Sequence, residues 1–260
     1  MTDTSPSELT GQQTCDATKS LVYDTGAGFM LAPATTELGV SHGYADLLAF
    51  YLAGRCGVLG DVDSDVVAAA LGFFNPAALR PVWDRALHVR PARAGAELYA
   101  QALAEQGRAA FASLDGAARL VELAEHVTDA VSPAGLPLFA GWRAQERPAD
   151  PAGRAAHALH VLREWRGSAH VAAVAALGLD PLDAVMLNGG AAYAEFYAWS
   201  QPWGDGHGHG ELSARAEELT DAQCAPVYER TLTGAERAEL AVLIKTAAAQ
   251  ATPPAEPEQN

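Results

Sequence analysis

Three helix starts are legible in the chain. Asn75-Pro76, Asp150-Pro151 and Asp180-Pro181 each place an oxygen-bearing cap ahead of a proline, and an Ala- or Leu-rich run follows. A side-chain oxygen satisfies an orphan N–H of the first turn, and proline at the first helical position loses no hydrogen bond. Between such signals the apolar residues are mostly Ala and Leu rather than Val and Ile, which favours helix over strand. The pattern predicts a mainly α, multi-helix bundle of about ten helices. One is expected over roughly 41–56, with Tyr44, Leu47, Leu48, Tyr51 and Leu52 on one face. Others are expected after Asp63-Ser64, over 91–112 and 115–131, and over 233–249, the last with Thr233 and Glu236 as a capping box. Asn188-Gly189-Gly190 and the glycines from Gly204 to Gly210 read as breaks, with an aromatic helix from Tyr193 to Trp199 between them.

The helix opened by Asp150 carries the densest chemistry, Arg163-Glu164-Trp165-Arg166-Gly167-Ser168-Ala169-His170, on an Ala/Leu/Val background. Ionised groups are costly to bury unless they pair or bind something, so this cluster is either a polar network or a site. Gly167 is expected to end or bend the helix. His157, His160 and Glu164 share one face at helical spacing, with Arg163 and Arg166 on another side. A site lined by the first three and completed by His170 follows, with His170 and Glu164 moving protons. Lys19, a lone lysine beside Leu21-Val22-Tyr23, is a third candidate for proton or Schiff-base chemistry if desolvated. Arg55, Arg163 and Arg166 suit bidentate capture of an anion. Tyr23, Tyr51, Phe74, Asn75 and His157 are expected to contact the ligand, with further aromatics from Tyr193 to Trp203 near turns. No metal is assigned, because no ligand set stands out as H-E-x-x-H would, and no cofactor is named. His207 and His209 read as residues of a mobile loop, since ordering so many glycines costs entropy.

Composition narrows the partners. The formal charge is −15 from 32 acids and 17 bases, which disfavours a phosphate backbone. Residues 201–260 hold ten acids and four bases, the wrong balance for reading a DNA groove. No run of eighteen apolar residues suggests a membrane span. Three widely spaced cysteines without a CxxC argue for reduced thiols, and with no basic n-region opening the chain the expectation is a cytoplasmic protein. The predicted organisation is a flexible 1–14, a helical pocket domain over 15–200, a C-terminal helical or degenerate winged-helix part over 201–250, and a disordered Pro/Glu-rich tail over 251–260. The apolar helix 233–249 could serve a homodimer.

Three stretches carry a likeness. Leu162-Arg163-Glu164-Trp165-Arg166-Gly167-Ser168-Ala169-His170 is similar to an L-R-E-H-R-G-D-G-H pattern. Tyr51 to Gly60 is similar to Y-x-A-S-R-A-A-P-L-G, and Phe73 to Leu79 to F-x-N-x-x-P-A-L. Through these, over roughly 15–190, the chain resembles an actinobacterial helix-turn-helix-like family of largely unassigned function, as a divergent member. Lys19 stands where the family tends to have His, and Ser168 where it has Asp. The family's C-terminal wing survives here only as Thr231-Leu232-Thr233-Gly234. The resemblance implies a helical fold with a winged-helix end and a transcriptional regulator's ancestry. The residues themselves favour a small-molecule-binding protein or enzyme of specialised metabolism with an interhelical pocket. They leave open whether any reaction occurs.

Overall fold

A computed structural model describes residues 7–204, 206 and 208–251. The predicted tail over 251–260, apart from Ala251, lies outside the described residues, as do His207 and residues 1–6 of the predicted flexible N-terminus. Twelve α-helices occur among the described residues, and no strand: α1 (Gly11–Met30), α2 (Pro33–Ser41), α3 (Leu47–Cys56), α4 (Ser64–Leu71), α5 (Pro76–Val89), α6 (Ala92–Ala110), α7 (Ala117–Asp129), α8 (Pro137–Arg143), α9 (Pro151–Ala176), α10 (Pro181–Phe196), α11 (Gly210–Thr231) and α12 (Gly234–Ala251). The chain is a mainly α, multi-helix bundle.

The capping chemistry acts where it was expected. Asn75 Oδ1 accepts from Ala77 N at 3.0 Å, Asp150 Oδ1 from Gly153 N at 2.8 Å, and Asp180 Oδ1 from Leu182 N at 2.8 Å. Thr233 Oγ1 accepts from Glu236 N at 3.2 Å while Glu236 Oε2 accepts from Thr233 N at 2.9 Å. These two reciprocal bonds close the capping box of α12.

α9 is the spine. It packs against α1, α6, α7, α8 and α11, and His157 through Leu162 are all buried, so it is covered on nearly every side. Close approach to α6 depends on Gly107, where an added Cβ would lie 2.4 Å from the Ala156 Cβ. A second, smaller core joins Ala173, Val174, Leu179, Ala184 and Ala216 from the end of α9, α10 and α11.

Several expectations need correcting. Residues 11–14 are the first turn of α1, fastened by Thr10 and Gln13 acting as a capping box, and not part of a loose terminus. The helix expected over 41–56 begins only at Leu47, as α3; α2 has already ended at Ser41, Gly43 (φ 95°) turns the chain between them, and Asp46 caps α3. α9 passes through Gly167 without a break. A glycine in a helix costs only about 1 kcal/mol, and the packed turns on both sides hold it. Asn188-Gly189-Gly190 does break the helical path, because Gly190 leaves helical geometry (φ 59°, ψ −147°) and α10 is two helical segments meeting at that kink, but the aromatic segment stops at Phe196 and not at Trp199. Residues 210–251 form two long helices with no β-wing, so the C-terminal part has none of the hairpin a winged helix needs. Leu240, Ile244 and Ala247 of α12 are buried in the bundle, where α12 packs on α1 and α7. That row of the apolar helix is used inside the chain, while Val242 on another side of α12 is exposed.

Candidate functional site

A cavity of about 350 Å³ opens between α1, α3, α4, α9, α10 and α11. α9 supplies Arg163, Arg166, Gly167 and His170, which recur at three, four and seven residues and so share one face. α1 adds Lys19 and Tyr23, α3 adds Arg55, and α11 adds Glu217. Phe73 and Phe74, from the turn after α4, make an apolar wall together with Val185, Tyr193 and Tyr197 from α10 and the residue following it. The Phe74 and Tyr197 rings meet edge to face, 4.8 Å between centroids, a favoured arrangement for aromatic pairs.

The face of α9 that opens on the void is therefore the arginine face, and not the His157/His160/Glu164 face. Glu164 is fully buried behind the wall. Its Oε1 accepts from Arg55 Nε and from Arg163 Nη1, both at 2.9 Å, and its Oε2 from Arg55 Nη2 at 3.1 Å. Burial alone would raise the carboxyl pKa, but the two guanidiniums outweigh it and hold it at about 2. A carboxylate so stabilised takes no proton near neutrality; Glu164 fixes the arginines and does not act as a base. Tyr51 is buried beside it, where its hydroxyl accepts from Arg55 Nη1 and its ring faces Phe74. Two guanidiniums share a single carboxylate here, so this end of the cavity carries one excess positive charge. Arg163 covers the Tyr23 ring at 5.2 Å, and its buried Nε has no hydrogen-bond partner. Such a cation over a ring face is attracted by the ring's quadrupole.

The other end is governed by acids on α11. Asp221 takes a hydrogen bond from Arg166 Nη1 at 2.6 Å and from Lys19 Nζ at 3.1 Å, and Glu217 takes one from Arg166 Nη2 at 2.6 Å. Partial burial disfavours the Lys19 charge, but its bonds to Asp221 and Asp16 prevail and raise its pKa. In this arrangement Lys19 is a cation held by Asp221 and Asp16 at the rim of the cavity. His170 Nδ1 lies 3.0 Å from Thr220 Oγ1 and 3.3 Å from Glu217 Oε1, and burial lowers its pKa.

Three other predicted residues lie away from the void. Asn75 caps α5 and donates from Nδ2 to Ala198 O at 3.1 Å. His157 and His160 are buried on the far side of α9, where burial presses their pKa values to about 4 and about 3. His160 stacks edge-on against Trp142 at 4.2 Å. Among the described residues no group of three His, Cys, Asp or Glu could hold a metal ion. Cys15, Cys56 and Cys224 are buried free thiols, each pushed up to about 12 by burial.

Sequence reasoning missed Glu217, Thr220 and Asp221. Their spacing places them on one helical face, but α11 itself was not foreseen, so the face had no meaning. Tyr193 and Tyr197 were seen as aromatics near a turn; only the kink at Gly190 directs them to the cavity.

Fold and site together define an all-helical protein with an interhelical cavity, open to solvent, that has a cationic end and an aromatic wall. The sequence profile of the helix-turn-helix family matches residues 17–209, most of the chain, and the protein belongs to that family. No curated protein and no solved structure gives a match. Within the matched span α4 and α5 are joined by four residues, Gly72 to Asn75, with Gly72 at φ 78°. No helix among the described residues is long and apolar enough to cross a membrane.

Proposed function

We propose that the protein binds a small anionic molecule in the cavity between α1, α3, α9, α10 and α11. One observation carries this reading. In a chain of net charge −15, Arg55 and Arg163 converge on one void with a single buried carboxylate between them, which leaves one excess positive charge there against rings that suit a flat ligand. Binding is favoured over chemistry at Glu164 and Lys19, whose partners hold both in their charged forms. Native mass spectrometry of the purified protein, with thermal melts against a panel of aromatic carboxylates and their neutral amides, tests it. The carboxylates should raise the melting temperature and the amides should not, and Arg163→Gln should abolish the difference. Equal shifts, or none with either series, overturn the reading.

A second reading, a transcriptional regulator, is favoured by family membership, which weighs against excluding nucleic acid from charge alone. The four-residue turn between α4 and α5 fits a helix-turn-helix unit. α5 and the start of α6 place Arg80, Arg85, His88 and Arg93 at the surface, with Arg80 paired to Asp65 at 2.8 Å and Asp84 exposed among them. The readings meet at that turn. Phe73 and Phe74 line the cavity, Trp199 Nε1 donates to Phe73 O at 2.8 Å, and Asn75 N donates to Tyr197 O at 3.0 Å. A ligand that moved the end of α10 would pull on the turn that aims α5. Fluorescence anisotropy with duplex DNA at low salt tests this. Affinity should fall on Arg85→Glu and decline steeply with salt. Absence of binding at micromolar protein removes the regulator.

A further inference from the structure

The two ends of the cavity differ in what they can hold. The Thr220 hydroxyl donates its hydrogen to Ala216 O at 2.7 Å. Its oxygen is therefore an acceptor toward His170, and the hydrogen of that 3.0 Å contact sits on Nδ1, since a hydroxyl has one hydrogen to give. Glu217 Oε1, 3.3 Å from the same nitrogen, favours the same tautomer. The bond made at one ring nitrogen decides which of the two carries the proton. Nε2 is left as a lone-pair acceptor on the ring edge not turned to α11. The Glu217 carboxylate beside His170 repels a second anion, so this end suits a neutral donor. At the other end Arg55 and Arg163 share one carboxylate and Arg163 gives it a single hydrogen bond, so capacity for an anion remains. Seven residues of unbroken helix separate Arg163 from His170, about 10 Å at roughly 1.5 Å per residue. Phe73, Phe74 and Tyr197 line the space.

The geometry points to a ligand with two unlike ends: a hydroxylated aromatic ring bearing a carboxylate on a short arm. The carboxylate lies on Arg163 and Arg55, the ring against Phe73, Phe74 and Tyr197, and the hydroxyl donates to His170 Nε2. His170 is then the residue that selects the hydroxylated ligand, and Thr220 and Glu217 are positioning residues that fix its tautomer. This assignment rests on the cavity being an anion-binding site, and the experiment separates the two.

Isothermal titration of the full chain at pH 7 uses three probes: 4-hydroxycinnamate, cinnamate, which lacks the hydroxyl, and 4-ethylphenol, which lacks the carboxylate. 4-Hydroxycinnamate should bind about tenfold more tightly than either one-ended probe, the effect of one well-placed hydrogen bond or ion pair. His170→Phe should erase its advantage over cinnamate and leave cinnamate affinity unchanged. Thr220→Val should shrink the same advantage, because Glu217, at the longer 3.3 Å, is then the group left to hold the tautomer. Arg163→Gln should erase its advantage over 4-ethylphenol. Thermal melts of each variant establish that it folds, and a variant that unfolds is replaced by His170→Gln or Arg163→Lys. Equal affinity for cinnamate and 4-hydroxycinnamate, or a hydroxyl advantage that survives His170→Phe, overturns the His170 assignment while the anion site stands. No heat with any of the three overturns the proposed ligand class. If the carboxylate panel also fails, the anion site falls with it.

Discussion

Glu164 is the residue on which the buried charge depends. It is fully enclosed and is the carboxylate that Arg55 and Arg163 share. Removing one partner from a buried ionic network costs about 3–5 kcal/mol, because the remaining charges stay desolvated. Glu164→Gln should lower stability by about that amount, read as a drop in the urea midpoint at constant slope. A change under about 1 kcal/mol would mean that solvent reaches the arginines. Acid should act in two stages. The folded chain holds His157 and His160 neutral, with pKa values of about 4 and about 3 against an ordinary 6.5. Below 6.5 the unfolded chain takes up protons that the folded chain refuses, so stability present above that pH is lost as pH falls toward 3. Glu164 adds a further loss between its ordinary 4.5 and about 2. Denaturation midpoints across pH 3–8 should therefore begin to fall below about 6.5. His160→Phe should flatten the upper part of the curve, and a profile unchanged by that substitution would contradict the account.

Individual helices were legible where cap chemistry was strong. Asn75-Pro76, Asp150-Pro151, Asp180-Pro181 and Thr233…Glu236 all start helices where the residues say they should. α11 was not legible. It begins in a Gly-rich segment without a side-chain cap and carries Pro226 inside, so its start has no local signature. The arginine face of α9 was misread for a different reason. A helix buried nearly all round has no apolar stripe, so periodicity cannot tell which face borders a void. α10 shows how backbone geometry directs side chains. Gly190 sits at φ 59°, ψ −147°. That conformation is essentially restricted to glycine, although an added Cβ would meet nothing within 4 Å. The restriction there is conformational and not one of space. Gly190→Ala should cost about 1–3 kcal/mol or straighten α10, withdrawing Tyr193 and Tyr197 from the cavity. The expected result is weaker ligand binding with the rest of the bundle intact, measured by titration beside near-ultraviolet circular dichroism. Unchanged affinity would show that the kink does not shape the site.

For the whole molecule, the family match and the folded unit have different limits. The match ends at 209, yet α11 and α12 both pack on α1, and Cys224, Val227, Tyr228, Leu240 and Ile244 belong to the same core as Val22 and Trp165. α11 also provides Asp221 and Glu217, the counter-charges of Lys19 and Arg166. A chain ending at residue 209 should therefore lose cooperative unfolding and expose apolar surface, seen as dye binding and a broadened melt. A sharp melt near that of the full chain would make α11 and α12 dispensable. The bundle class was readable from the sequence because Ala/Leu segments and caps are local. The cavity was not, because it depends on which distant helices meet. Its acidic rim comes from a helix that had to be seen before its charges meant anything.

The unbroken course of α9 has one further consequence. Arg163, Arg166, Gly167 and His170 sit on a single rod, whose spacing is set by backbone hydrogen bonds and not by loop conformation. The pocket thus works as a ruler graduated in helical turns. Related chains would change the length of molecule they accept by moving a charge up or down one rung, without redesigning any loop.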